Sequence, residues 1–201
     1  VQAQVKAGIK VLQERAFEPL TGKRVGLVTN PTGVDGQLRS TIAILHENVN
    51  LVALFGPEHG VRGNFSAGDP VGDQVDEKTG IPVYSLYGKN KKPDAEILKG
   101  VDVMVYDIQD VGVRSYTYIS TMGLVMEAAA ELDKEVVILD RPNPLGGNRV
   151  EGPLVKDGFH SFVSQYKIPY VYGLTCGELA LFLNGEGMLS DGKRCKLQVV
   201  P

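Results

Sequence analysis

The chain has 201 residues, 43% hydrophobic and 22% charged, with a formal net charge of −3, which is enough for one domain with a proper core. No apolar run approaches the ~20 residues of a membrane-spanning helix, and no lysine or arginine cluster marks a nucleic-acid footprint. A membrane span and a nucleic-acid partner are therefore not expected.

Short β-branched runs alternate with helical periodicity along the chain, which is the pattern of a parallel sheet. Val5, Ile9 and Leu12 fall at helical spacing and predict a first amphipathic helix. Residues 25–29 read as a buried strand, bounded by Gly22 and by Asn30-Pro31, and a helix follows over 40–47. The second strand is 51–55, a short helix starts near Pro93, and the third strand is 101–106. Ile119, Met122, Val125, Met126, Ala129 and Leu132 make one apolar stripe, so 118–132 is the clearest helix and its methionines are core filler. The fourth strand is 135–139, and Thr175 with Glu178 forms a capping-box pair ahead of a last helix. The final residues, 197–201, are strand-like. The fold class predicted is α/β, a Rossmann-like open, mostly parallel sheet with helices on both faces.

Cys176 and Cys195 are the two cysteines and show no metal-ligand spacing; free or half-buried thiols are the expectation, with a disulfide left open. No basic, apolar leader opens the chain, and composition leaves the compartment open. The long stretch 56–80, rich in glycine and aspartate, is read as a functional loop, with Pro57, Phe65 and Pro70 arguing for order.

Ligands of open parallel sheets bind beyond the carboxyl ends of the strands. The first strand ends at Asn30, and the second is followed by Gly56-Pro57-Glu58-His59-Gly60. The third is followed by Asp107-Ile108-Gln109-Asp110, and the fourth by Asp140-Arg141-Pro142-Asn143-Pro144. One strand-end acid commonly caps a helix or ties down a loop. Four strands that each deliver an Asn, Glu or Asp to one edge point to a site, because gathered carboxylates repel one another and need a use. Arg62, Arg114 and Arg141 are close enough in sequence to neutralise them.

Glu58 and His59 are both capable of proton transfer, and the glycines around them allow close backbone approach. The run 106–118 packs Gln109, two acids, Arg114, Tyr116 and Tyr118 into one loop. Carboxylates, amides and aromatic faces together suit a carbohydrate, with Tyr116, Tyr118 or Phe65 as the stacking platform in a chain without tryptophan. No G-x-G-x-x-G, phosphate-loop or G-x-S-x-G motif is present, so neither nucleotide binding nor a serine-hydrolase elbow has support. His46, His59 and His160 lack metal spacing, and His46 is placed at the end of a surface helix.

These residues resemble a known family, the NamZ-like exo-β-N-acetylmuramidases. The matching runs are 28–33, 56–63, 106–114 and 140–144, continued by Glu151-Gly152-Pro153, and they span nearly the whole chain in order. The resemblance implies a Rossmann-like N-terminal catalytic domain over 1–201, with the family's smaller C-terminal domain absent from this chain. It implies hydrolysis of the β-1,4 bond between a non-reducing terminal N-acetylmuramic acid and N-acetylglucosamine. A peptidoglycan-derived saccharide is then the partner, in a periplasmic or secreted setting tied to cell-wall recycling. No cofactor or metal is implied, and oligomeric state is left open. The family's favoured catalytic glutamate falls on Glu58. One departure is visible: Tyr172 stands where many members have a histidine.

The mechanism expected makes Glu58 the general acid, with His59, Asp107 and Asp110 in the catalytic set. Asp107 or Asp110 serves as base or charge stabiliser, unless the substrate's own 2-acetamido group supplies the nucleophile. Substrate contacts are expected from Asn30, Arg62, Gln109, Arg114, Tyr116, Tyr118, Asp140, Arg141, Asn143 and Glu151. Arg62 or Arg114 is the natural fork for the lactyl carboxylate; the alternative for each is a structural salt bridge to Asp107 or Asp140. Two other functions compete: a metal-dependent phosphohydrolase holding Mg²⁺ on Asp107, Asp110 and Asp140, and a non-catalytic sugar-binding protein.

Overall fold

The computed structural model describes residues 5–63 and 74–201. In chain order the main elements are α1 (Gly8–Glu14), β1 (Arg24–Thr29), α2 (Thr41–Asn48), β2 (Asn50–Gly56), β3 (Gln74–Val75) and β4 (Pro82–Ser85). There follow α3 (Ala95–Leu98), β5 (Val103–Asp107), α4 (Tyr118–Glu131), β6 (Glu135–Leu139), α5 (Cys176–Gly185) and β7 (Lys196–Val200). The strands form one seven-stranded sheet in the order β3-β4-β2-β1-β5-β6-β7. Each pairing is parallel except β3 against β4, at the edge. The α/β class read from the sequence is the observed one.

Successive strand residues serve opposite faces of the sheet, and each face is buried under helices. Val103, Val105, Val137 and Leu139 join Ile9 and Leu12 of α1 and Ile42, Ile44 and Leu45 of α2 in one core cluster. Met104, Tyr106, Val136 and Ile138 pack against Met122, Val125 and Met126 of α4 and Leu179 and Leu183 of α5 in the other. The methionine stripe is therefore core, as its spacing predicts.

β6 matches its predicted span, and β1, β2, α2 and α4 match to within about one residue at each end. Three differences have physical reasons. Val5 is 74% exposed and lies outside α1. The helix begins only at Gly8, whose N–H donates to Asp140 O at 2.7 Å. A Cβ at Gly8 would sit 2.4 Å from Asp140 N, so the backbone is pressed against the end of β6. β5 starts at Val103 rather than at residue 101, because Asp102 turns aside to hold Arg24 through two side-chain bonds of 2.8 and 3.0 Å. β4, absent from the sequence reading, is four residues long and opens on a proline, too short for any period to register. Phe65 and Pro70 of the long loop lie outside the described residues. Among those described, no helix is long and apolar enough to cross a membrane, and Cys176 and Cys195 are both buried free thiols.

Candidate functional site

Because β2, β1, β5 and β6 are parallel neighbours, their carboxyl ends share one edge of the sheet. Asn30, Glu58 and Asp140 follow those ends and Asp107 closes β5, so all four collect at the edge that the sequence indicates. β4 runs parallel beside β2 and brings a fifth residue, Tyr87, to the same edge.

The turn after β2 is tight. A Cβ on Gly56 would lie 3.1 Å from both Gly60 Cα and Val61 N, and Gly60 N–H closes the turn on Pro57 O at 2.9 Å. His59 takes a φ of 71° inside it, a left-handed conformation uncommon for a side-chain-bearing residue. This turn lifts Glu58 into a recess of about 220 Å³ lined by Glu58, His59, Ser115, Tyr116, Thr117 and Tyr118. The Thr117 hydroxyl donates to Glu58 Oε2 at 3.1 Å. Hydrogen bonding to Glu58, with some burial, raises the Tyr87 phenol above its ordinary value. Tyr118 is also raised, chiefly by burial. Tyr116 is 50% exposed, placed as a stacking ring would be.

The three aspartates form the floor of this edge. Asp107 is fully buried and both its oxygens are engaged. Arg141 reaches them with Nε at 2.6 Å and Nη2 at 3.0 Å, and the Thr41 hydroxyl adds a third bond. Asp140 accepts from Gly177 N at 2.8 Å, Arg141 N at 2.9 Å and Thr175 Oγ1 at 2.6 Å, which fixes the β6 loop to the start of α5. Asp110 accepts from Gly112 N at 2.7 Å and from the Tyr172 hydroxyl. Burial raises its carboxyl above the usual range, and Oδ1 has no hydrogen-bond partner among the described residues. Burial also pushes the Tyr172 phenol and the Cys176 thiol beside it well up. Tyr172 thus acts as the donor that covers a buried acid.

The arginines take other partners than the acids expected of them. Arg62 forks onto Asp76 at 2.9 Å through both Nε and Nη2, and this pairing holds the Asp76 carboxyl below its usual range. It lines a recess of about 140 Å³ that also includes Asn30, and a larger one of about 430 Å³ with Asp76 and Lys78. Arg114 donates to the carbonyls of Pro153, at 2.7 Å, and Ile168, and its guanidinium stacks 5.8 Å over Tyr170. Neither arginine meets Asp107 or Asp140; Arg141 is the one that takes Asp107. Gln109 ties two loops by donating to Asp110 O at 2.8 Å and Pro142 O at 2.9 Å. Asn143 donates to Leu174 O at 2.9 Å. Glu151 is exposed, paired with Arg149 at 2.9 Å, and does not line the Glu58 recess.

The fold therefore brings Glu58, His59, Tyr116 and Tyr118 to one recess, sets Asn30 and Arg62 together in another, and places the aspartates, Gln109, Arg114, Arg141 and Asn143 among the supporting bonds. Sequence reasoning missed Asp76, Tyr87 and Thr117 as contacts. Thr117 sat inside the singled-out loop, but the other two follow elements with no sequence period. Among the described residues no three His, Cys, Asp or Glu side chains gather as a metal-ligand group.

The model of a family described as "Exo-beta-N-acetylmuramidase NamZ, N-terminal" matches residues 25–201. A peptidoglycan beta-N-acetylmuramidase NamZ of Bacillus subtilis (strain 168) is 56% identical over 185 residues, which are 91% of this chain and 45% of that protein. Two crystal structures of DUF1343 family proteins from Bacteroides fragilis NCTC 9343 superpose closely. One has a TM-score of 0.91 at 66% identity, covering 98% of this chain and 49% of the other. The second has a TM-score of 0.86 at 41% identity, covering 99% and 52%. The chain spans about half the length of the relatives it matches.

Proposed function

Because the chain belongs to the NamZ exo-β-N-acetylmuramidase family, we propose that the protein carrying it is a glycoside hydrolase that releases terminal N-acetylmuramic acid from peptidoglycan fragments. The observation that carries the reading is Glu58, lifted by a tight turn into a recess with two tyrosines and held there by a hydroxyl. In this mechanism the Glu58 carboxyl protonates the leaving glycosidic oxygen. Tyr116 offers an aromatic face to a sugar ring. Among the described residues Glu58 is the one carboxyl lining that recess, while Asp107 and Asp140 spend their oxygens on Arg141, Thr41, Thr175 and backbone. This favours attack by the substrate's own 2-acetamido oxygen over attack by a protein carboxylate. Arg62, partly exposed beside Asn30 and Asp76, is the cation offered to the lactyl carboxylate. Peptidoglycan lies outside the cytoplasmic membrane, so a periplasmic or secreted setting, with a part in wall recycling, belongs to the same proposal.

The test is release of N-acetylmuramic acid from a chromogenic β-muramic glycoside, using the full-length product of the coding sequence beside this chain. Glu58→Gln is expected to abolish turnover with saccharide binding kept. Saccharide binding without turnover in the parent protein would replace the enzyme with a sugar-binding protein.

A further inference from the structure

Helix α4 begins at Thr117, the position where a threonine hydroxyl ordinarily accepts a bond from the first helical N–H groups. Here it makes no such cap; the backbone is already in the right-handed helical region, and the hydroxyl donates to Glu58 Oε2 at 3.1 Å instead. α4 forgoes a capping bond at its first turn, and the hydroxyl is spent on a residue 59 positions away in sequence.

A second hydroxyl, that of Tyr87, comes from the turn after β4. Leu86 N–H donates to Gly56 O at 2.8 Å, tying the end of β4 to the start of the Glu58 turn. Ser85 Oγ accepts from Tyr87 N at 3.2 Å and so fixes the backbone that presents the Tyr87 ring. That ring packs against Phe162 at 6.4 Å between centroids, and Phe162 is anchored by its carbonyl, which accepts from Ser120 Oγ at 2.7 Å. The Glu58 carboxyl acts on the phenol so placed and raises it above its ordinary value.

We infer that Thr117 and Tyr87 are positioning residues for the Glu58 carboxyl, a two-hydroxyl clamp that holds it in the orientation needed at the scissile bond. The inference rests on the reading of Glu58 as the catalytic carboxyl. A carboxylate on a flexible side chain samples several rotamers. Two donors on rigid elements restrict it to one, and misplacement by about 1 Å is enough to cost rate.

The experiment compares kcat, KM and melting temperature of the full-length protein as Thr117→Val, Thr117→Ser and Tyr87→Phe variants. Thr117→Val keeps the shape of the side chain and removes the donor; Thr117→Ser keeps the donor. Thr117→Val and Tyr87→Phe are each expected to lower kcat by about tenfold with KM and melting temperature unchanged, and Thr117→Ser to stay near the parent. A melting temperature lowered by Thr117→Val with kcat intact would make Thr117 an ordinary helix cap and overturn the inference. A Tyr87→Phe variant as fast as the parent would remove Tyr87 from the clamp. Full activity in Glu58→Gln sinks the reading of Glu58 itself. Loss of activity in Glu58→Gln beside full activity in Thr117→Val and Tyr87→Phe sinks the clamp alone. The contact has its own readout, NMR of labelled tyrosine Cζ carbons. Glu58→Gln should bring the Tyr87 phenol titration down towards the ordinary tyrosine range, and an unmoved titration means the two groups do not touch.

Discussion

At the scale of single residues, Arg141 and Asp107 show how a motif and a scaffold share one edge. Both stand in runs that the sequence marks as chemically loaded, and charge pairing between an arginine and an acid there was expected. Their pairing with each other, and the Val34 carbonyl that Arg141 Nη2 also takes at 2.8 Å, came only with the fold. Asp107 has no exposure and the Arg141 side chain is 9% exposed. Removing one member leaves a buried charge uncompensated, which typically costs about 3–5 kcal/mol. Arg141→Ala is accordingly expected to lower unfolding free energy by about that amount, read as a lower urea midpoint. A loss under about 1 kcal/mol would mean water reaches Asp107 in the variant.

At the scale of elements, local signals worked where a motif carries its own physics. The capping box at α5 is present as predicted, with Thr175 Oγ1 accepting from Glu178 N at 3.1 Å and Glu178 Oε2 accepting from Thr175 N at 2.9 Å. Glu178 is thereby assigned to the helix start. The fold adds Asp140, whose carboxylate meets Gly177 N and Thr175 Oγ1 and so joins β6 to the same turn. Thr175→Ala is expected to cost about 1–2 kcal/mol, the upper part of the range for a cap, because it removes a bond to Asp140 as well. Urea unfolding measures it, and a cost shared equally by Asp140→Ala would show the two acting as one unit. β4 is the contrary case. Four residues opening on a proline carry no period, yet β4 sets Tyr87 beside Glu58.

At the scale of the whole molecule, buried and paired acids set the response to pH. Burial raises the Asp110 carboxyl, so the folded state disfavours its charge. The resulting destabilisation is absent below the ordinary carboxylate range and grows as pH rises through it. Asp76 has the opposite sign: Arg62 holds it low, and the stability it contributes is lost as pH falls through and below that range. Asp110→Asn should therefore be more stable than the parent at neutral pH, with the advantage shrinking at acid pH. Chemical denaturation at several pH values checks this. A constant difference between the two proteins would show that Asp110 does not titrate with folding.

The sequence by itself determined the α/β class, the strands β1, β2, β5 and β6, and the edge at which Asn30, Glu58, Asp107 and Asp140 collect. Those follow from period, length and turn chemistry, which are local and repeat along the chain. The tertiary structure alone decided which of the collected groups face open space and which are consumed by neighbours. Asp107 closes on Arg141, Asp110 lies under Tyr172, Asp140 caps α5, and Glu58 stands in a recess with Thr117 and two tyrosines. That division rests on pairings between residues tens of positions apart, and such pairings leave no period for a sequence to display.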